Sequence, residues 1–94
     1  MREYEIAIVG ATGLVGQEFI KVLVQRNFPM NSVHLFASDR SAGRKLIINQ
    51  EEIEVEETTP ESFEGIDIAL FSAGAEVSRH FAPLAAQSGA VVID

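Results

Sequence analysis

Three glycines set three apart, Gly10, Gly13 and Gly16, stand where a short apolar run ends and an amphipathic stretch begins, and this junction limits the fold more than any other part of the sequence. Before it, Tyr4-Glu5-Ile6-Ala7-Ile8-Val9 is β-rich and almost continuously apolar toward its end, the pattern of a strand buried on both faces of a parallel sheet. After it, Leu14, Val15, Phe19, Val22 and Leu23 recur at helical spacing, with Gln17, Glu18, Lys21 and Gln25 mainly between them. This predicts a helix over about 13–26. Asn27-Phe28-Pro29-Met30-Asn31 stops it, because proline cannot continue a helix. Ser32 to Ala37 reads as a second strand, completing a βαβ unit whose strands run parallel.

The next stretch breaks the rhythm. Lys45-Leu46-Ile47-Ile48 and Ile53-Glu54-Val55-Glu56, separated by Asn49-Gln50-Glu51-Glu52, read as a small half-exposed hairpin on the edge of the main sheet. Thr59-Pro60-Glu61-Ser62-Phe63 reads as a capped helical turn. From Asp67 the alternation resumes: a buried strand to Ser72, a tight turn at Ala73-Gly74, a helical stripe of Val77, Phe81, Leu84 and Ala85, and the beginning of another buried strand over Ala90–Asp94. Pro83 lies inside that stripe and is expected to kink the helix or confine its regular part to one side. The fold class is therefore α/β and Rossmann-like, a mostly parallel sheet flanked by helices with a small β-hairpin insertion, and residues 1–94 form a single, incomplete nucleotide-binding domain.

Charge narrows the partners. The net charge is −7, and between Leu46 and Ser78 there are nine acidic residues and no Lys or Arg, leaving the remainder of the chain at +2. An acidic domain without a basic stripe is poorly suited to nucleic acid or to an anionic membrane, both of which need cations to replace their counterions. No apolar run is long enough to span a bilayer, and acids stand at the N-terminus where a signal peptide carries bases. A cytoplasmic location is expected. With no cysteine, the chain supplies no disulfide, no thiolate metal ligand and no cysteine nucleophile.

Gly10-Ala11-Thr12-Gly13-Leu14-Val15-Gly16 is the strongest chemical signal. Glycines at a strand-to-helix turn let a pyrophosphate approach the backbone, and the free N–H groups of a helix N-terminus favour an anion there. The spacing is GxxGxxG, unlike the GxGxxG dinucleotide fingerprint. At the end of the second strand, Ala37-Ser38-Asp39-Arg40-Ser41-Ala42-Gly43-Arg44-Lys45 offers hydroxyls and cations where an NAD-specific site commonly places an acid. This favours NADP; Asp39 argues against it, and a solvated polar loop is the alternative. Ser72-Ala73-Gly74 follows the next strand on the same sheet edge and reads either as a cofactor-facing wall or as a plain turn. His34 and His80 have no carboxylate partner at a telling spacing and read as packing or surface residues. The glutamates from Glu51 to Glu64 have no histidine nearby, so no metal site is assigned, and no nucleophile–base constellation is found, so no catalytic residue is assigned.

Taken together, Ile8-Val9-Gly10-Ala11-Thr12-Gly13-Leu14-Val15-Gly16, Ala37-Ser38-Asp39-Arg40-Ser41-Ala42-Gly43, Phe71-Ser72-Ala73-Gly74 and Ala82-Pro83 through Gly89-Ala90-Val91-Val92-Ile93-Asp94 resemble, collinearly and over essentially the whole chain, the N-terminal nucleotide-binding domain of the aspartate-semialdehyde dehydrogenase family. The Ser-x-Arg-Ser-Ala-Gly segment is the most specific of them. The resemblance implies reduction of β-aspartyl phosphate by NADPH to aspartate semialdehyde, with phosphate released, in the synthesis of lysine, diaminopimelate, methionine and threonine. It implies pyrophosphate contacts at Gly10, Thr12, Gly13, Leu14, Val15 and Gly16, a 2′-phosphate loop at Ser38, Arg40 and Ser41, and a second cofactor-facing turn at Ser72, Ala73 and Gly74. It further implies a homo-oligomer at full length. The family's substrate-phosphate arginine, catalytic cysteine, and substrate and dimerisation domain follow the motif ending at Asp94, so the chain reads as the first part of such an enzyme, inactive alone. A non-catalytic nucleotide-binding module and a related acyl-phosphate or acyl-CoA reductase are the competing readings.

Overall fold

A computed structural model describes residues 3–94. Six strands, β1 (Tyr4–Val9), β2 (Met30–Ala37), β3 (Lys45–Ile48), β4 (Glu51–Glu57), β5 (Ile68–Phe71) and β6 (Val91–Ile93), form one sheet in the order β3-β4-β2-β1-β5-β6. Every neighbouring pair is parallel except β3 with β4. Leaving β3 aside, the parallel strands lie in the order third, second, first, fourth, fifth, which is the doubly wound arrangement. No helix is long and apolar enough to cross a membrane among the described residues.

Alternation along β1 builds two cores. Ile6 and Ile8 face α1 (Leu14–Gln25) and pack with Leu35, Val55, Phe19, Ile20, Leu23 and Val24. Ala7 and Val9 face the other side, against α2 (Ala75–Gln87) and a 3-10 turn at Pro60–Phe63. Phe63 is fully buried there, its ring 5.9 Å from Phe71, 6.2 Å from Phe36 and 6.3 Å from Phe81. The turn that delivers it is held by a capping box in which the Thr59 N–H donates to Ser62 Oγ at 2.8 Å.

Four expectations need correction. The last strand is not buried: β6 pairs with β5 at the end of the sheet, and Val91 and Ile93 are exposed. The buried stripe of α1 is Gly16, Phe19, Ile20, Leu23 and Val24, whereas Leu14 is 87% exposed and Val15 and Val22 also face outward. Gly16 sits against the backbone of Gly10 and Ala11, and that contact fixes the rotation of the helix. Pro83 does not confine the helix to one side: α2 is continuous across it, with the proline on the exposed face. The hairpin is tighter and better integrated than its sequence suggests. Asn49 and Gln50, at φ 51° and 69°, make a two-residue turn of the kind that matches strand twist. β4 then pairs in parallel with β2, placing Val55 beside Leu35 and Glu57 beside Ala37.

The amino end of the sheet is tied by polar groups. The Glu5 carboxylate accepts hydrogen bonds from Asn31 Nδ2 and from His34 Nε2 at 2.8 Å, while the Glu5 N–H donates to Asp67 Oδ2 at 2.8 Å and the Asp67 N–H returns to the Glu5 carbonyl at 2.9 Å. Bonding to His34 first, and to Asn31 next, holds the Glu5 carboxyl below its ordinary value near 4.5. A carboxylate with a depressed folded-state pKa adds stability that is fully present above its unfolded value and is lost as pH falls through the folded value. Urea denaturation of wild type and Glu5→Gln across pH 3 to 7 is therefore expected to show a stability advantage of wild type near neutrality that shrinks below about pH 4.5. A difference independent of pH would contradict this.

Candidate nucleotide-binding site

The carboxyl ends of β1, β2, β4 and β5 surround a cleft of about 440 Å³. Its lining includes Gly10, Thr12, Ser38, Asp39, Ser41, Glu57, Thr58 and Ala73, with an apolar wall of Val9, Val77 and Phe81. Strand order reverses beside it, since β2 lies on one side of β1 and β5 on the other, and such switch points open a crevice at the strand ends.

The glycine loop is built by close contacts. Gly10 has φ +87°, and its N–H and that of Ala11 both donate to the Phe36 carbonyl, at 2.8 and 3.1 Å. A Cβ on Gly10 would lie 2.9 Å from both Ala73 N and Ser72 Oγ, and one on Gly16 would lie 2.3 Å from the Gly10 carbonyl oxygen. These two glycines are required by packing. Gly13 differs: it caps α1 at φ −78°, and its hypothetical Cβ meets only the Gly10 oxygen at 3.5 Å, an ordinary contact. The first helical N–H with a backbone acceptor is that of Gln17, bonded to Gly13 O at 3.0 Å, so the N–H groups of Leu14, Val15 and Gly16 precede the helix ladder. No acidic residue occupies this first turn. Fold packing leaves room for a side chain at Gly13, and its absence keeps the approach to these donors open.

Two hydroxyl contacts hold the neighbouring loops. Thr12 Oγ1 donates to Ser41 Oγ at 3.2 Å, joining the glycine loop to the loop after β2. That loop is itself wound as turns, with the N–H groups of Ser41 and Ala42 both donating to the Ser38 carbonyl at 3.0 and 3.1 Å. Ser72 Oγ lies 3.0 Å from the Val9 carbonyl and 3.2 Å from that of Gly10, so its hydroxyl proton staples β5 to the end of β1. Gly74, at φ +95°, caps α2 and is exposed.

The family model for the semialdehyde dehydrogenase NAD-binding domain matches residues 5–94. The chain belongs to this family. It is similar to the aspartate-semialdehyde dehydrogenase of Bacillus subtilis, with 53% identity over 93 residues covering 99% of this chain and 27% of that protein. The enzyme of the same name from Corynebacterium glutamicum is 54% identical over 92 residues, covering 95% and 27%. Among solved structures, aspartate semialdehyde dehydrogenase II of Vibrio cholerae, complexed with ASA, superposes with a TM-score of 0.95 at 42% identity, over 99% of this chain and 30% of that one. The chain thus spans about a quarter of the length of the relatives it matches.

Within this semialdehyde dehydrogenase domain, the residues singled out by sequence divide. Gly10, Thr12, Ser38, Ser41 and Ala73 line the cleft itself. Gly13, Leu14, Val15 and Gly16 form the cap and first turn of α1 beside it. Ser72 supports the turn through its staple, and Arg40 lies exposed in the loop between the cleft residues Asp39 and Ser41. Sequence reasoning did not single out Glu57 and Thr58, which reach the cleft because β4 pairs with β2, or Val77 and Phe81 as its apolar wall. The charged groups in the lining are the carboxylates of Asp39 and Glu57.

Replacing Gly16 by Ala forces backbone apart and is expected to cost about 1–3 kcal/mol in urea denaturation. Gly13→Ala is expected to cost less than about 1 kcal/mol, the scale of an N-cap change, while weakening nucleotide binding in calorimetric titration. A Gly13→Ala chain that binds nucleotide as wild type does would remove the functional role given to that glycine.

Proposed function

We propose that the chain forms the NADP(H)-binding portion of an aspartate-semialdehyde dehydrogenase, an enzyme of lysine, diaminopimelate, methionine and threonine biosynthesis that reduces β-aspartyl phosphate to aspartate semialdehyde with NADPH and releases phosphate. The observation that carries the reading is the open turn at Gly13. It leaves the early N–H groups of α1 uncovered ahead of the helix ladder, beside the cleft, and nothing in the packing of the fold demands a glycine there.

The bound cofactor supplies the hydride. In this reading Gly10 and Gly16 shape the loop, Thr12, Leu14, Val15 and Gly16 receive the pyrophosphate through backbone donors at the helix N-terminus, and Gly13, whose own N–H bonds the Gly10 carbonyl at 3.1 Å, leaves the approach to them open. Ser38, Arg40 and Ser41 hold the 2′-phosphate, and Thr12 keeps Ser41 in register with the glycine loop. Ala73 and Gly74 flank the cofactor on the β5 side, in a turn fixed by the Ser72 staple. The sequence holds no cysteine, and we assign the chain no bond-making residue. Its part is to bind and orient the cofactor.

Specificity for the 2′-phosphate turns on charge. Asp39 and Glu57 line the cleft and oppose a phosphate, and Arg40, between the cleft residues Asp39 and Ser41, is the loop cation assigned to offset them. Calorimetric titration of the chain is expected to give a lower Kd for NADPH than for NADH, and Arg40→Ala is expected to lower that preference by several-fold, up to about tenfold for a charge-assisted bond. Equal affinity for the two cofactors in wild type, or a preference for NADH, would contradict the assignment.

A further inference from the structure

The ends of β1, β2 and β4 lie side by side on the sheet edge, and each contributes to the cleft: Gly10 after β1, Ser38 after β2, Glu57 at the end of β4. Neighbouring strands are about 4.8 Å apart. A nucleotide with its pyrophosphate at the glycine loop and its ribose at Ser38 therefore carries its base outward, over the end of β4. The polar groups waiting there are nearly all acceptors. Both donors of Thr58 are already used, its N–H and Oγ1 bonding the Ala37 carbonyl at 2.9 and 3.1 Å. Glu57 is the parallel partner of Ala37 and shares a face with the buried Val55, while Glu56 lies on the opposite face of the strand. Apolar Val9, Val77 and Phe81 line the same cleft from the α2 side of the sheet.

We propose that Glu57 reads the base, its carboxylate accepting a hydrogen bond from the exocyclic amine of a 6-aminopurine. The inference rests on the nucleotide reading above and adds a residue to it, at the far end from the pyrophosphate. An acidic side chain in a cleft for an anionic ligand costs affinity through like-charge repulsion unless it meets a donor, and the exocyclic amine is the N–H donor on the adenine ring. On this account the carboxylate at Glu57 selects the base, whereas the loop after β2 selects the ribose.

The test titrates the chain with NADP and with its 1,N6-etheno derivative, whose amine is closed into a ring and offers no N–H. Wild type is expected to prefer NADP by about tenfold or more, the scale of one charge-assisted bond. Glu57→Ala is expected to bring the ratio close to one with its circular dichroism unchanged, and Glu56→Ala is expected to keep the wild-type ratio. Equal binding of the two ligands by wild type, a ratio that survives Glu57→Ala, or an equal collapse in Glu56→Ala would each overturn the role of Glu57 while leaving nucleotide binding intact. Binding of neither ligand would overturn both readings together.

Discussion

The backbone contact between Gly16 and the Gly10 carbonyl is the joint on which the rest of the structure depends. A single methyl group placed on Gly16 would come to 2.3 Å of that oxygen, so α1 rests on the end of β1 at a distance that only hydrogen side chains allow. That distance fixes the rotation of the helix, which sends Phe19, Ile20, Leu23 and Val24 into the core with Ile6 and Ile8. It also fixes where the first turn of α1 opens. Packing and site geometry are thus consequences of one contact, and the conformational freedom of Gly10 at φ +87° is what lets the chain turn sharply enough to make it.

A second constraint joins the two halves of the sheet. Where β1 meets β5 the order of strands reverses, and the Ser72 hydroxyl bonds the carbonyls that end β1, while a Cβ on Gly10 would collide with the same serine. The glycine loop and the Ser72-Ala73-Gly74 turn therefore act as one rigid piece. The opposite end of the sheet is tied by Glu5, His34, Asn31 and Asp67 and contributes nothing to the cleft.

Strand positions, the βαβ rhythm and the two loops that line the cleft after β1 and β2 were legible in the sequence because they rest on local signals: apolar runs, glycine turns and a proline stop. What could not be read locally depended on pairing across the chain. Leu14, Val15 and Val22 fit an apolar stripe as well as Ile20 and Val24 do, and only the seating of Gly16 on β1 decides between them. Glu57 looked like one more glutamate in a solvated hairpin until the parallel register of β4 with β2 brought it to the cleft. Likewise the three glycines are alike on paper. Their surroundings separate two that packing requires from Gly13, which it does not.

The central claim is that the first turn of α1 and the ends of β1 and β2 receive the phosphates of a dinucleotide. Mapping backbone amide shifts by heteronuclear NMR while NADPH is added to the chain tests this most directly. The account predicts the largest changes at Gly13, Leu14, Val15 and Gly16, with a second group from Ser38 to Ser41, and little change around Glu5 and His34. Shifts centred instead on the groove between α1 and β3, near Lys21 and Ile47, or no shifts at millimolar NADPH, would contradict it.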